Sequence, residues 1–355
     1  MKKVGIITIY NSNYGNKLQN YALQESLKKF NCDVITIKNV FLLNKKKNTF
    51  EYILRNIKYL FKREDFIDSK KREEYFKKFN EYINFTKRKF NWFNTKKYSN
   101  YDYFVIGSDQ VWNPYLGRLT KFDLATFTEK KKISYAASFG VSSLPNTYND
   151  LLRKELSKFN YISVREKNGV DIIKNTGLHK NIEVLVDPTM LLTKEEWNTV
   201  IKRPKIYNGE KYILTYFLGK ISYEVKEKID KFAKDNNCIV INILDKNSPY
   251  FLTGPSEFLW LEKNAFLICT DSFHSSVFSI IFDRPFVIFE RDDNMKNMSS
   301  RLETLLSKFK LKNRRFNGKE ITKENLSHDY VEAYKILEIE RKKSEDFLKK
   351  ALDIS

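Results

Sequence analysis

Cysteine and histidine are scarce in this chain, with three of each in 355 residues. Cys32, Cys238 and Cys269 are far apart, show no CxxC spacing and lie in or beside apolar runs. That pattern argues against a zinc site and for reduced, buried thiols in a cytosolic protein. No apolar run approaches the ~18–20 residues of a membrane span. The basic start Lys2-Lys3 leads into an apolar run too short for a signal peptide and reads as a first buried strand. No GxGxxG follows that strand, so a dinucleotide fingerprint is absent. There is no arginine-rich block, zinc finger or RNP-like aromatic stretch, so nucleic acid is not an expected partner. Internal repeats and low-complexity linkers are also absent.

What the chain has in excess is positive charge: 64 Lys and Arg against 44 Asp and Glu, a net +20. Two readings are open. One is an anionic partner, such as a phosphorylated substrate or a lipid surface. The other is a solvated lysine surface, since Lys, Asn, Ile, Phe and Tyr are enriched together as in an AT-rich genome. Residues 44–100 concentrate the effect, with 17 Lys and Arg against 7 Asp and Glu, interleaved with Tyr, Phe and Trp. That stretch reads as two basic, aromatic helices, near 50–62 and 70–84. It is either a solvated helical insert or an interfacial surface for a lipid-linked acceptor.

Elsewhere short apolar runs alternate with amphipathic stretches of 10 to 15 residues, which predicts parallel sheets. The expected fold is α/β, with two Rossmann-like domains facing a cleft. The first spans 1–200 and carries the insert at about 44–100. The second spans 206–326, and 327–355 form a long C-terminal helix. Site chemistry is then sought where strands end and helices begin. Asn11-Ser12-Asn13-Tyr14-Gly15-Asn16-Lys17 follows the first strand, and Gly15, Asn16 and Lys17 open a helix whose free N–H groups favour an anion. Gly107-Ser108-Asp109-Gln110-Val111-Trp112-Asn113 is dense in hydrogen-bonding groups suited to a polyol or phosphate, or else is an Asp-initiated turn. Ser138 ends another strand. Arg165 offers a fork for a carboxylate or phosphate, or else pairs within its own junction. Thr270-Asp271-Ser272-Phe273-His274-Ser275-Ser276 places polar groups between a strand and a buried helix. Asp271 would fix the tautomer of His274, and the imidazole would trade a proton near neutral pH. Arg284, Arg291 and Arg301 supply cations downstream.

Taken in order, these stretches resemble the polysaccharide pyruvyl transferase family. The matching pieces are Asn13 to Gln24, Gly107 to Asn113, Ser134 to Gly140, Ser163-Val164-Arg165-Glu166, Val186-Asp187-Pro188-Thr189 and Thr270 to Ser276. The resemblance implies a GT-B-like pair of Rossmann domains with the site between them. It implies phosphoenolpyruvate as donor substrate, with no cofactor and no metal, and a sugar diol as acceptor, giving a cyclic pyruvate ketal and free phosphate. His274 matches the presumed catalytic histidine, and Arg165 a position proposed to hold the donor. Two departures stand out. Ser272 replaces a basic residue found in some members, and Ser275 replaces a common glycine. Arg291 or Arg301 is then expected to hold the donor's anionic groups. The expected acceptor is lipid-linked, in capsule or exopolysaccharide assembly, at a cytoplasmic site or the inner face of the membrane. The rival activity is a glycosyltransferase using a nucleotide sugar on the same scaffold, although no acidic residue is placed to grip a ribose. A non-catalytic scaffold for capsule-assembly proteins is a third reading.

Overall fold

A computed structural model describes residues 1–39, 63–290 and 300–354 of the chain. The first sheet is built from β1 (Lys2–Ile7), β2 (Cys32–Thr36), β3 (Tyr103–Ile106), β4 (Lys131–Ala137), β5 (Tyr161–Val164) and β6 (Ile182–Val184). All pair in parallel in the order β2-β1-β3-β4-β5-β6. Its helices are α1 (Tyr14–Lys28), α2 (Arg63–Lys78), α3 (Asn149–Leu156), α4 (Lys167–Lys174) and the short α5 (Lys194–Asn198). The second sheet has β7 (Tyr212–Tyr216), β8 (Ile239–Asn242), β9 (Leu267–Thr270) and β10 (Phe286–Ile288), parallel in the order β10-β9-β7-β8. It is served by α6 (Tyr223–Asp235), α7 (Pro255–Asn264), α8 (Phe273–Ile281) and α9 (Ser300–Lys308), and the chain closes with α10 (Val331–Ala351). This is the α/β, two-sheet arrangement expected from the alternating pattern, in the GT-B-like form that the resemblance implies.

Each sheet reverses its winding once, between β1 and β3 in the first and between β7 and β9 in the second. The loops leaving the carboxyl ends of strands at such a reversal diverge and leave a crevice. The first crevice is lined by Asn13–Lys17 after β1 and Gly107–Asn113 after β3; the second by the turn after β7 and Asp271–His274 after β9. Packing brings these two mouths together. Tyr14, Leu18 and Tyr21 of α1 share one core with Tyr216, Phe258 and Phe278 of the second lobe. The Tyr14 ring stacks on Phe258 at 4.4 Å, and its hydroxyl donates to the Thr253 carbonyl at 2.8 Å. The last helix bridges both lobes. Ala333 and Leu337 enter that shared core, while Phe347, Leu348 and Ala351 cover the first sheet beside Val4, Val34 and Tyr135.

The insert departs from its expected pattern. The segment 50–62 lies outside the described residues. The helix expected at 70–84 begins at Arg63 and ends at Lys78, with a single 3₁₀ turn to Tyr82. The chain then straightens because the free edge of β2 captures it: Thr36 N donates to the Asn84 carbonyl at 2.7 Å, and Thr86 N donates to the Thr36 carbonyl at 3.0 Å.

Candidate active site

Local capping fixes the two helices that meet at the interlobe crevice. Asn13 caps α1 through Asn16 N, and Ser272 caps α8 through Ser275 N. His274 therefore lies in the first turn of α8, and Gly15 in the first turn of α1. The two turns touch. A β-carbon built on Gly15 would stand 2.1 Å from His274 Nδ1, far inside any tolerated contact. Gly15 is thus required by the imidazole of the other lobe. We expect Gly15→Ala to displace that ring and to lower kcat by at least about tenfold, with secondary structure retained; unchanged kcat would show that the ring position does not matter to turnover.

The imidazole faces a buried cluster of carboxylates and guanidiniums supplied by three first-lobe loops and by α9. Asp187 is its centre. Its Oδ2 accepts from Arg165 Nη1 at 2.6 Å and from the Ser108 hydroxyl at 2.9 Å, and stands 3.8 Å from His274 Nε2. Its Oδ1 accepts from the Thr189 amide at 3.0 Å and from the Thr189 hydroxyl at 2.7 Å. Asp109 accepts from Arg165 Nη2 at 3.2 Å and from the Asn16 amide, and Arg301 Nη1 lies 3.9 Å from it. Asp109 holds φ = +65°, stabilised by the bond from Ser138 N to its carbonyl at 2.9 Å. With its amide oxygen turned toward Arg301, Gln110 accepts from both terminal nitrogens at 2.9 and 3.3 Å. Gly140, at φ = +66°, leaves room for Gln110, since a β-carbon there would stand 2.1 Å from the end of its amide. Phe273 covers the cluster, with Arg165 at 4.8 Å and Arg301 at 6.0 Å from its ring centre.

The electrostatics follow from this geometry. Burial alone drives the Asp109 and Asp187 carboxyls up, but Arg165 and His274, joined by Arg301 at Asp109, more than offset it. Both carboxyls end below the usual range. Burial pushes the His274 imidazole down. Asp187 and Asp109 resist that, and Arg165 and Arg301 add to it, so the ring titrates below its ordinary value and is neutral at pH 7. Its Nε2 is buried and has no hydrogen-bond partner among the described residues. A buried polar atom without a partner, beside paired charges, marks a position for a ligand rather than a finished structural contact.

Several expected site residues are placed elsewhere. Asp271 does not orient His274: its Oδ1 and Oδ2 accept from the amides of Leu218 and Gly219, both at 2.7 Å, and so pin the turn after β7. The carboxylates facing the ring are Asp187 and Asp109. Lys17 points away from the cluster, bonding Asn80 and lying 4.5 Å over the Tyr10 ring; burial first, and Lys38 next, bring its pKa down to about 8. The Ser138 hydroxyl donates to Glu166 at 2.8 Å, and that carboxylate also holds the amides of Phe139 and Gly140. The Ser275 hydroxyl donates at 2.6 Å to Glu262, whose carboxyl burial raises well above its ordinary value. Both serines therefore brace the loop or helix they sit on. Arg291 lies outside the described residues. Gly15, Asn16, Ser108, Asp109, Gln110, Arg165, His274 and Arg301 are brought together. Asp187 is the residue that sequence reasoning missed. Its signal was present in Val186-Asp187-Pro188-Thr189, but an Asp-Pro after a strand reads as a turn.

An α/β chain with two facing switch points and an imidazole set over a charged cluster between them belongs, on architecture, with two-lobed enzymes that act on ligands held in the crevice. The ordered motifs give the family. Residues 13–293 match polysaccharide pyruvyl transferase, and the chain belongs to that family and is a transferase. No curated protein matches it in sequence. Distant solved structures cover nearly its whole length. S. aureus MnaA in a co-structure with UDP is 12% identical over 100% of this chain and 98% of that one, with TM-score 0.48. The Methanocaldococcus jannaschii UDP-GlcNAc 2-epimerase complex with UDP-GlcNAc and UDP is 16% identical over 96% and 99%, with TM-score 0.42. Acinetobacter baumannii MurG is 8% identical over 99% and 94%, with TM-score 0.40. Likenesses this distant carry no information on substrate.

Proposed function

We propose that the enzyme moves the enolpyruvyl unit of phosphoenolpyruvate onto two hydroxyls of a sugar in a polysaccharide precursor, closing a pyruvate ketal and releasing phosphate. The observation that supports this reading is His274 Nε2, buried and unpartnered, between two helix N-termini and two guanidiniums. The cluster of Arg165, Arg301, Asp109 and Asp187 sums to zero, and the helix ends add partial positive charge. A donor carrying a phosphate and a carboxylate tips that balance. Its negative charge raises the affinity of the neighbouring imidazole for a proton, so donor binding protonates His274.

The charged imidazole then donates its proton to the methylene carbon of the donor. Cationic character develops at C2, where the Asp109 and Asp187 carboxylates offset it. One sugar hydroxyl adds to C2 and returns its proton to His274. The second hydroxyl displaces phosphate, which departs with the second proton. One proton thus goes to the new methyl group and one to phosphate, and the enzyme ends as it began. The test is NMR of the purified enzyme with phosphoenolpyruvate and candidate sugar diols in D₂O. The expected products are free phosphate and a ketal methyl group carrying one deuterium from solvent. Consumption of a nucleotide sugar with phosphoenolpyruvate untouched would replace this reading with the glycosyltransferase one.

A further inference from the structure

An unusual surface among the described residues lies outside the site, on the insert. Residues 86–97 contain Lys87, Arg88, Lys89, Lys96 and Lys97, and no Asp or Glu occurs between Tyr82 and Tyr101. All five cations are exposed. Among the described residues none of the five forms an ion pair, whereas many lysines elsewhere do, as in Lys28–Glu25, Lys228–Glu224, Lys308–Glu340 and Lys349–Glu345. Between the two groups of cations stand Trp92 and Phe93, 45% and 98% exposed. A phenylalanine ring left wholly in water, next to a tryptophan and flanked in sequence by cations that form no ion pair among the described residues, is not what composition alone would produce.

The tip is also preformed. Phe90 anchors it from below, buried against Tyr98, Phe122 and Phe127. Asn91 caps the turn that carries the two aromatics, its side chain accepting from Phe93 N at 3.0 Å. Trp92 is held edge-on against Phe90 at 5.0 Å, and a turn already formed loses little entropy on docking.

We propose that this tip is a docking surface for an anionic lipid bilayer, with Phe93 and Trp92 entering the headgroup boundary and the five cations facing the negative surface. Charge complementarity selects that occupant, since each Lys or Arg near an anionic membrane adds attraction and Trp settles at the interface. The contact is peripheral, because no described helix is long and apolar enough to cross a membrane. A stacking platform for nucleic acid would hold its rings along a charged groove, whereas the Phe93 ring is 98% exposed. The proposal concerns binding alone and stands whether or not phosphoenolpyruvate is the donor.

The test is flotation of the full chain with vesicles of phosphatidylcholine, and of phosphatidylcholine mixed with phosphatidylglycerol. Binding is expected only to the anionic vesicles and should weaken as salt rises. Phe93→Ser should weaken it by about tenfold, and combined Ser replacement of Lys87, Arg88 and Lys89 by on the order of a hundredfold. Both variants should melt at the parent temperature, because these side chains are exposed. Absence of binding to anionic vesicles, or parental binding by both variants, overturns the proposal. So does a result in which Phe93→Ser leaves vesicle binding intact but abolishes self-association or capture of single-stranded RNA.

Discussion

His274→Ala is expected to lose about 10²- to 10⁴-fold in turnover, the range that a positioned acid–base group contributes. It should melt close to the parent, because Nε2 has no protein partner to leave unsatisfied. That combination is diagnostic. A histidine that served only packing would cost stability on truncation and leave chemistry largely intact. The pH profile adds a second readout. Because the free imidazole titrates below its ordinary value while the donor complex holds it charged, the profile for kcat should extend to higher pH on its basic side than that for kcat/KM on the same enzyme. Near-parental turnover by His274→Ala would remove the imidazole from the mechanism and leave the charged cluster as an electrostatic site alone.

The fold was legible because parallel strands buried on both faces are short apolar runs and the helices between them are amphipathic; β3, Tyr103–Ile106, is such a run, buried at every position. The positions of the site loops followed from the same rule, since strand ends at a winding reversal are where a crevice opens. The pairings inside the site were not legible. Asp271 precedes His274 by three residues, and closeness in sequence suggested a pair. The chain turns into α8 between them, and that turn sends the carboxylate back to the loop after β7. Asp187 contacts Arg165, 22 residues away, and Ser108, 79 residues away. Such contacts are set by how strands order in the sheet, which periodicity does not encode. Ser138 and Ser275 show the converse: both sit in polar motifs beside the crevice, yet their hydroxyls hold buried carboxylates that brace it. The β2 edge gives a third case, because helical spacing through Tyr82 could not reveal that Ile83 onward would be recruited as an extended segment.

Asp187→Asn is expected to be the most damaging single change to the folded state. The substitution keeps shape and an acceptor oxygen but removes the charge that Arg165 needs. The guanidinium, 4% exposed and shared with Asp109, would remain buried with one carboxylate where it had two. Breaking a buried pair from one side costs about 3–5 kcal/mol, readable as a lower midpoint in urea. The pH dependence fixes the cause. Asp109 and Asp187 are held below their unfolded values, so their stabilisation is complete above about pH 4 and is lost as pH falls through the folded values. The parent should therefore weaken steeply in acid, while Asp187→Asn should be weakened already at neutral pH and fall less steeply below it. Asp187 also holds the imidazole's pKa up, so the variant's residual activity should show a basic limb shifted to lower pH. Adding Arg165→Met removes the stranded cation and should recover part of the lost stability without restoring turnover. A double variant no more stable than Asp187→Asn would show that the carboxylate acts through Thr189 and Ser108 instead of through the guanidinium.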